Sequence, residues 1–216
     1  LDPDTWKDHR NSPTIDFELK VPREINLSLT ADEGDVSVNS IQGDLDISVD
    51  EGEIRIKDID FIDMNFYADE GDIFGENLQN KNGRISIEVD EGDVNFNHVI
   101  TKKFNLECDE GDITLEEFSS NTSNIITDEG SIDIEMVLNG EDRYDISTDE
   151  GNVSIYLEPS PDVQLDLETN DGRIRSDFDI KIKKRDDWQR CRDQLGNGSS
   201  LVRIYTDEGF IAIRKY

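Results

Sequence analysis

The chain has 216 residues, 34% of them hydrophobic, enough for one core and consistent with one domain. A formal net charge of -30 and an isoelectric point near 4.1 argue against nucleic acid and anionic membrane surfaces as partners and leave cationic ones open. No apolar run reaches the length of a membrane-spanning helix.

In chain order, Leu1 to Val21 carries Pro3, Trp6 and Pro13 and lacks the pattern that fills the rest. It reads as a leader or cap segment (1–21) ahead of a repeat domain (22–216), since stacked arrays need covered ends. The chain opens at Leu1-Asp2-Pro3 with neither an initiator methionine nor a recognisable signal peptide, and reads as a mature or trimmed chain.

From Arg23 onward one triplet organises everything. Asp-Glu-Gly recurs with its glycine at Gly34, Gly52, Gly71, Gly92, Gly111, Gly130, Gly151 and Gly209, and Asn170-Asp171-Gly172 is an altered copy. Most steps between these glycines are 18 to 21 residues, the mark of a solenoid or stacked array. Two positions after the glycine stand only β-branched residues, such as Val36, Ile54 and Ile73. Five before it the residue is always apolar, and three before it always small or medium-sized. Period-two alternation on both sides means strands. Its phase slips by one residue across the triplet, so Asp-Glu-Gly is a corner, where glycine tolerates positive φ and Asp can hydrogen-bond the nearby backbone. Each unit is therefore strand, acidic corner, strand, looser return, and it buries its apolar face only against copies above and below.

The returns are short and variable: Asn39 to Gly43, Asn80 to Gly83, Ser119 to Ser123 and Leu138 to Glu141. The array is interrupted at 177–200, where Lys181, Lys183, Lys184 and Arg185 form a basic cluster. There Asp186 to Leu195, followed by Gly196, suggests a short helix with Trp188, Cys191 and Leu195 on one face. That insert reads as a flap over the last coil or as a binding element. Cys108 falls at an inward position and Cys191 in the insert, so a disulfide between them is not expected. His9 reads as a leader residue and His98 as a loop residue after Phe96, too far apart for a histidine metal cluster.

The repeated units, and above all the closing run from Gly196 to Ile213, resemble the bacterial adhesin or toastrack-type β-helix repeat proteins, a family of unknown function. The resemblance covers about Val21 to Tyr216. It implies an all-β, single-stranded parallel β-helix (a β-solenoid), right-handed as parallel crossovers prefer, in an extracytoplasmic bacterial protein. Such proteins are periplasmic or at the cell surface, often as lipoproteins. The family brings no catalytic residues. About nine to ten coils of about twenty residues are expected.

In a parallel stack the corner positions become files of like charge about 4.8 Å apart. The positions two before, one before and one after each glycine gather 22 of the 52 acidic residues on one edge. At that spacing two charges repel by about 0.9 kcal/mol in water and about 3.5 kcal/mol at an effective dielectric of 20. Three readings answer the repulsion. Asp side chains cap backbone amides while Glu side chains splay into water. Alternatively, calcium or another divalent cation sits between rungs, held by Asp32, Asp35, Asp50, Glu53, Asp69, Asp72, Asp90, Asp93, Asp109, Asp112, Asp128 and Asp149. In the third, the edge is a docking rail for a cationic partner.

A polysaccharide-active enzyme needs one carboxyl set apart from its neighbours, and carboxylates copied around equivalent corners are equalised instead. No nucleophile elbow, phosphate-binding loop or Cys-x-x-Cys pair is present. The sequence thus reads as a non-catalytic, adhesin-like scaffold with no obligatory cofactor. Its protein or glycan partner would meet the acidic edge or the flat face carrying Ser37, Arg55, Asn95, Thr114, Asp133 and Ser154.

Overall fold

A computed structural model describes residues 17–216, so most of the expected leader, residues 1–21, lies outside the described part. Among the described residues there is no helix. The strands before and after each corner behave as their alternation dictates: in β3 (Leu45–Glu51) and β4 (Ile54–Ile59) the apolar positions Leu45, Ile47, Val49, Ile54 and Ile56 are buried and most residues between them face out.

Each pre-corner strand pairs in parallel with its equivalent one coil away. β1 (Leu27–Glu33) lies on β3, β3 on β5 (Asp63–Glu70), and β5 on the second half of β6 (Ile73–Glu91). The ladder continues through β7 (Val94–Glu110), β8 (Ile113–Glu129) and β10 (Arg143–Glu150). Post-corner strands stack likewise: β2 (Val36–Asn39) on β4, then β6, β7 and β8, then β9 (Ile132–Met136) and β11 (Val153–Leu157). The fold is a parallel β-solenoid with a continuous apolar interior. Midway along it Phe96, Phe104, Phe118 and Tyr144 form an edge-to-face series with ring centroids 6.2, 4.9 and 6.1 Å apart. All four rings are buried, and burial of each is worth about 1.5–3 kcal/mol.

Two expectations need correction. The chain does not wind through nine to ten successive coils. It winds through about six turns, from the corner at Gly34 to that at Gly151, and then leaves sequence order. After Pro159 and Pro161, β12 (Val163–Ser176) skips one layer, and the C-terminal strand β15 (Ser200–Lys215) fills the slot. β15 is parallel to β10 and β11 on one side and to β12 on the other. Nearly identical repeat edges accept either neighbour, so local sequence does not encode the order.

The second correction concerns the insert at 177–200, which is a hairpin and not a helix. β13 (Ile182–Arg185) and β14 (Trp188–Leu195) pair antiparallel, and β14 lies antiparallel on β12. The reason is the open edge of β12: a helix would leave its N–H and C=O groups unpaired, whereas β14 completes the ladder from Val163↔Leu195 to Thr169↔Gln189. Cys191 enters the core opposite Leu167, and the Gln189 side chain accepts a bond from Ile174 N at 3.1 Å. Arg190 and Arg192 clamp Asp166 at 3.2 and 3.1 Å, and the Trp188 indole donates to Glu168. Cys108 and Cys191 are both buried free thiols, and burial pushes each up to about 11.

Candidate functional site

The acidic corner is built first from its backbone. Each corner glycine N–H donates to the carbonyl of the Glu one rung on, from Gly34 to Glu51 at 2.8 Å through Gly151 to Glu208 at 3.0 Å. The rungs approach so closely that side chains are excluded: a Cβ on Gly71, where φ is +149°, would stand 2.1 Å from the carbonyl oxygen of Gly52. In the second half of the solenoid the corner carbonyl is met from inside by a buried hydroxyl. Thr148 Oγ1 donates to Gly130 O at 3.1 Å, Thr206 to Gly151 O at 3.0 Å and Thr169 to Gly209 O at 3.0 Å. The position three before the glycine, which the sequence marks only as small or medium, thus satisfies an inward carbonyl.

The candidate ligand residues separate into groups. Asp35 Oδ1 accepts the backbone N–H of Glu53 at 3.0 Å, Asp72 that of Asp93 at 2.8 Å, Asp93 that of Asp112 at 2.9 Å, and Asp112 that of Ser131 at 2.7 Å. These carboxylates hold neighbouring rungs together. Glu53, on the same file, instead meets Arg55. Asp32, Asp50, Asp69, Asp109, Asp128 and Asp149 stand exposed on the file two before the glycine, and Asp90 is half-buried there. Desolvation raises the Asp90 carboxyl above the usual range, and the charges of Asp69 and Asp109 add to it. The nearby Tyr67 phenol is raised in turn, chiefly by Asp90. The Glu residues one before the glycine lie in register from Glu33 to Glu51, Glu70 and Glu91, with their side chains exposed. Among the described residues no group of three or more His, Cys, Asp and Glu side chains gathers closely enough to hold a metal ion.

Six residues beyond each of the first five corner glycines, Gly34 to Gly111, the chain turns again, by another device. Ser40, Asp58, Asn77, His98 and Glu117 all have positive φ, between 48° and 60°. Most of these are short polar side chains, the kind that tolerates the left-handed region. Asn77 Nδ2 donates to Asp58 Oδ1 at 2.6 Å, and His98 Nδ1 lies 2.7 Å from Glu117. His98 is therefore a corner residue. The signal for this second file was a polar, non-β-branched residue at a constant offset.

Between the two corners lies the flat face, where Ser37, Arg55, Phe74, Asn95, Thr114, Asp133 and Ser154 align in register, one per rung. The sequence reading named this row without Phe74, its one aromatic member. Arg55 lies over the Phe74 ring, 4.6 Å from its centroid, and Lys57 pairs with Glu76 at 2.7 Å. A groove of about 700 Å³ runs across these strands, lined by Phase-aligned side chains that include Phe74, Asn39, Asn95 and Asn97. Asn97 donates to Glu116 at 2.6 Å, so the groove's carboxylates are held by a cation or an amide.

A parallel solenoid with glycine-stacked corners defines the class as a repeat β-solenoid. The chain belongs to the Toastrack DUF4097 family, whose model matches residues 18–214. That family has no established function and is not a known enzyme family. No curated protein and no solved structure matches the chain. Among the described residues, no helix is long and apolar enough to cross a membrane.

Proposed function

We propose that this protein is a non-catalytic, adhesin-like scaffold acting outside the cytoplasm, in the periplasm or at the cell surface, and that it binds a protein or glycan partner through its flat face. The acidic corner serves the architecture, and the groove across β2, β4, β6, β7 and β8 does the binding. The groove is the observation that carries this reading. Its cations Arg55 and Lys57 are paired with Glu53 and Glu76, so in a chain of net charge -30 it is locally close to neutral. Asn39, Asn95 and Asn97 supply amides beside the apolar edge of Phe74, a mixture suited to an uncharged polar ligand.

The test is binding of the purified protein to an array of neutral and acidic glycans and to intact bacterial and host cells. Phe74→Ala and Asn95→Ala should each weaken binding about tenfold, equivalent to about 1.4 kcal/mol, with unchanged melting. Binding that ignores both substitutions, or no binding to any glycan or cell, refutes the assignment.

A further inference from the structure

The two ends of the solenoid differ in a way that its flank does not. Residues 163–216, which form the last two rungs and the hairpin, hold 11 basic and 10 acidic residues. Residues 1–162 hold 11 basic and 42 acidic, a net charge of -31. Side-by-side association of such bodies is opposed along their whole length. The near-neutral hairpin end carries no such penalty.

At the hairpin end the outermost strand is β13, whose second edge is unpaired among the described residues. Lys181, Lys183, Lys184 and Arg185 are all exposed there, and none makes an ion pair among the described residues. At the other end β1 pairs, among the described residues, only with β3. Its inward residues Leu27, Leu29 and Ala31 are half-buried, whereas their counterparts Leu45, Ile47 and Val49 one rung in are 0–1% exposed. The core is thus incompletely covered at that end by the described residues. The segment leading into it adds Phe17 and Leu19, exposed at 82% and 76%.

The strand directions match. β14 is antiparallel to β12 and β13 is antiparallel to β14, so β13 runs parallel to β12 and hence to β1. The register also matches. Ile182 lies opposite Cys191 and thereby Leu167, five before the corner glycine, and Lys184 lies opposite Gln189 and thereby Thr169, three before it. On β1 those levels are Leu29 and Ala31, and Arg185 falls at the level of Asp32.

We propose that a second copy of this chain docks head to tail, with β13 of one molecule adding in parallel to β1 of the next. Ile182 covers Leu29, and Arg185 meets Asp32. Lys184 stands over the small Ala31, with room for its stem to run out toward the carboxylates of Asp32 and Glu33. Main-chain bonds supply the affinity and the alternating side chains fix the register. The contact joins two different surfaces, so nothing closes it at a dimer and it propagates along the solenoid axis.

Sedimentation velocity of the full chain, from low micromolar to near-millimolar concentration, tests this. The expected result is an average mass that keeps rising past the dimer. Arg185→Glu and Asp32→Arg should each return the protein to monomer with an unchanged circular dichroism spectrum. The double variant, carrying both reversals in one chain, should assemble again. A single monomeric species at every concentration overturns the proposal and leaves the β13 lysines as guards against edge pairing. So does a discrete dimer, or assembly that survives both single reversals. Because the variants lie away from the groove, loss of assembly with intact glycan or cell binding separates this inference from the proposed function.

Discussion

Replacing Gly71 with alanine probes the stacking of the corners directly, because Gly34 offers an internal control. An alanine Cβ at position 71 would lie 2.1 Å from Gly52 O and 2.7 Å from Gly52 C. Relieving that contact requires the two rungs to part by about 1 Å, since real Cβ contacts lie beyond 3 Å. The bonds from Gly52 N to Glu70 O and from Ile54 N to Asp72 O, both 2.9 Å, would then open past hydrogen-bonding range. Two backbone bonds at about 1 kcal/mol each, plus about 1–3 kcal/mol for a non-glycine residue held at this φ, give about 4 kcal/mol. At about 2–4 °C per kcal/mol for a chain of this size, the melting temperature should fall by about 10 °C. At Gly34 φ is +119° and, among the described residues, no atom lies within 4 Å of the built Cβ, so Gly34→Ala should cost only the backbone strain, about 1–3 kcal/mol. Urea and thermal unfolding followed by far-ultraviolet circular dichroism measure both. Equal losses for the two variants would refute the claim that close stacking selects the glycine.

Thr148→Val should destabilise by about 1–2 kcal/mol, because the inward carbonyl of Gly130 loses its buried hydroxyl donor, while Thr148→Ser should retain most of the stability. Urea unfolding separates the two. Acid should loosen the hairpin end first. Hydrogen bonds from Ser199, Asn197 and Gly198 hold Asp162 below the usual carboxylate range, and the amides of Lys181 and Gln194 do so for Asp193. For Asp166, burial alone would raise the carboxyl, but the bonds from Arg192 and Arg190 outweigh it. Each folded value lies below the ordinary 3.8, so the unfolded chain binds protons more readily. The stabilisation is therefore present above that value and is lost as pH falls through the folded ones. Hydrogen exchange at about pH 6 and about pH 3, corrected for intrinsic rates, should show protection lost in β13 and β14 before β6 and β7. Simultaneous loss would contradict this.

The sequence carried most of the fold because its information is local and repeated. The phase slip across Asp-Glu-Gly placed the corner, and the β-branched residues two beyond it placed the next strand. What it did not carry is long-range order. Nothing in Val163 to Ser176 distinguishes the slot beside β11 from the one beyond β15, since both edges present the same alternation. The hairpin is hidden in the sequence because Trp188, Cys191 and Leu195 fit a helical face at their spacing. The open edge of β12, visible only once the strands are assembled, decides for a strand. At the candidate site, the exposed acidic files were legible as charge. The division of labour within them was not, because an Asp that ties rungs together differs from one facing water only in where the neighbouring amide lies. Phe74 could have been found by aligning the third residue after each glycine.

The claim that the acidic edge is architecture and not a metal site is tested most directly by thermal unfolding with and without millimolar calcium, against magnesium and an ionic-strength control. With Asp35, Asp72, Asp93 and Asp112 bound to backbone amides, the account predicts small and equal shifts from every salt, as screening alone gives. A large rise specific to calcium would contradict it, because a ligand held only by the folded chain stabilises it by mass action.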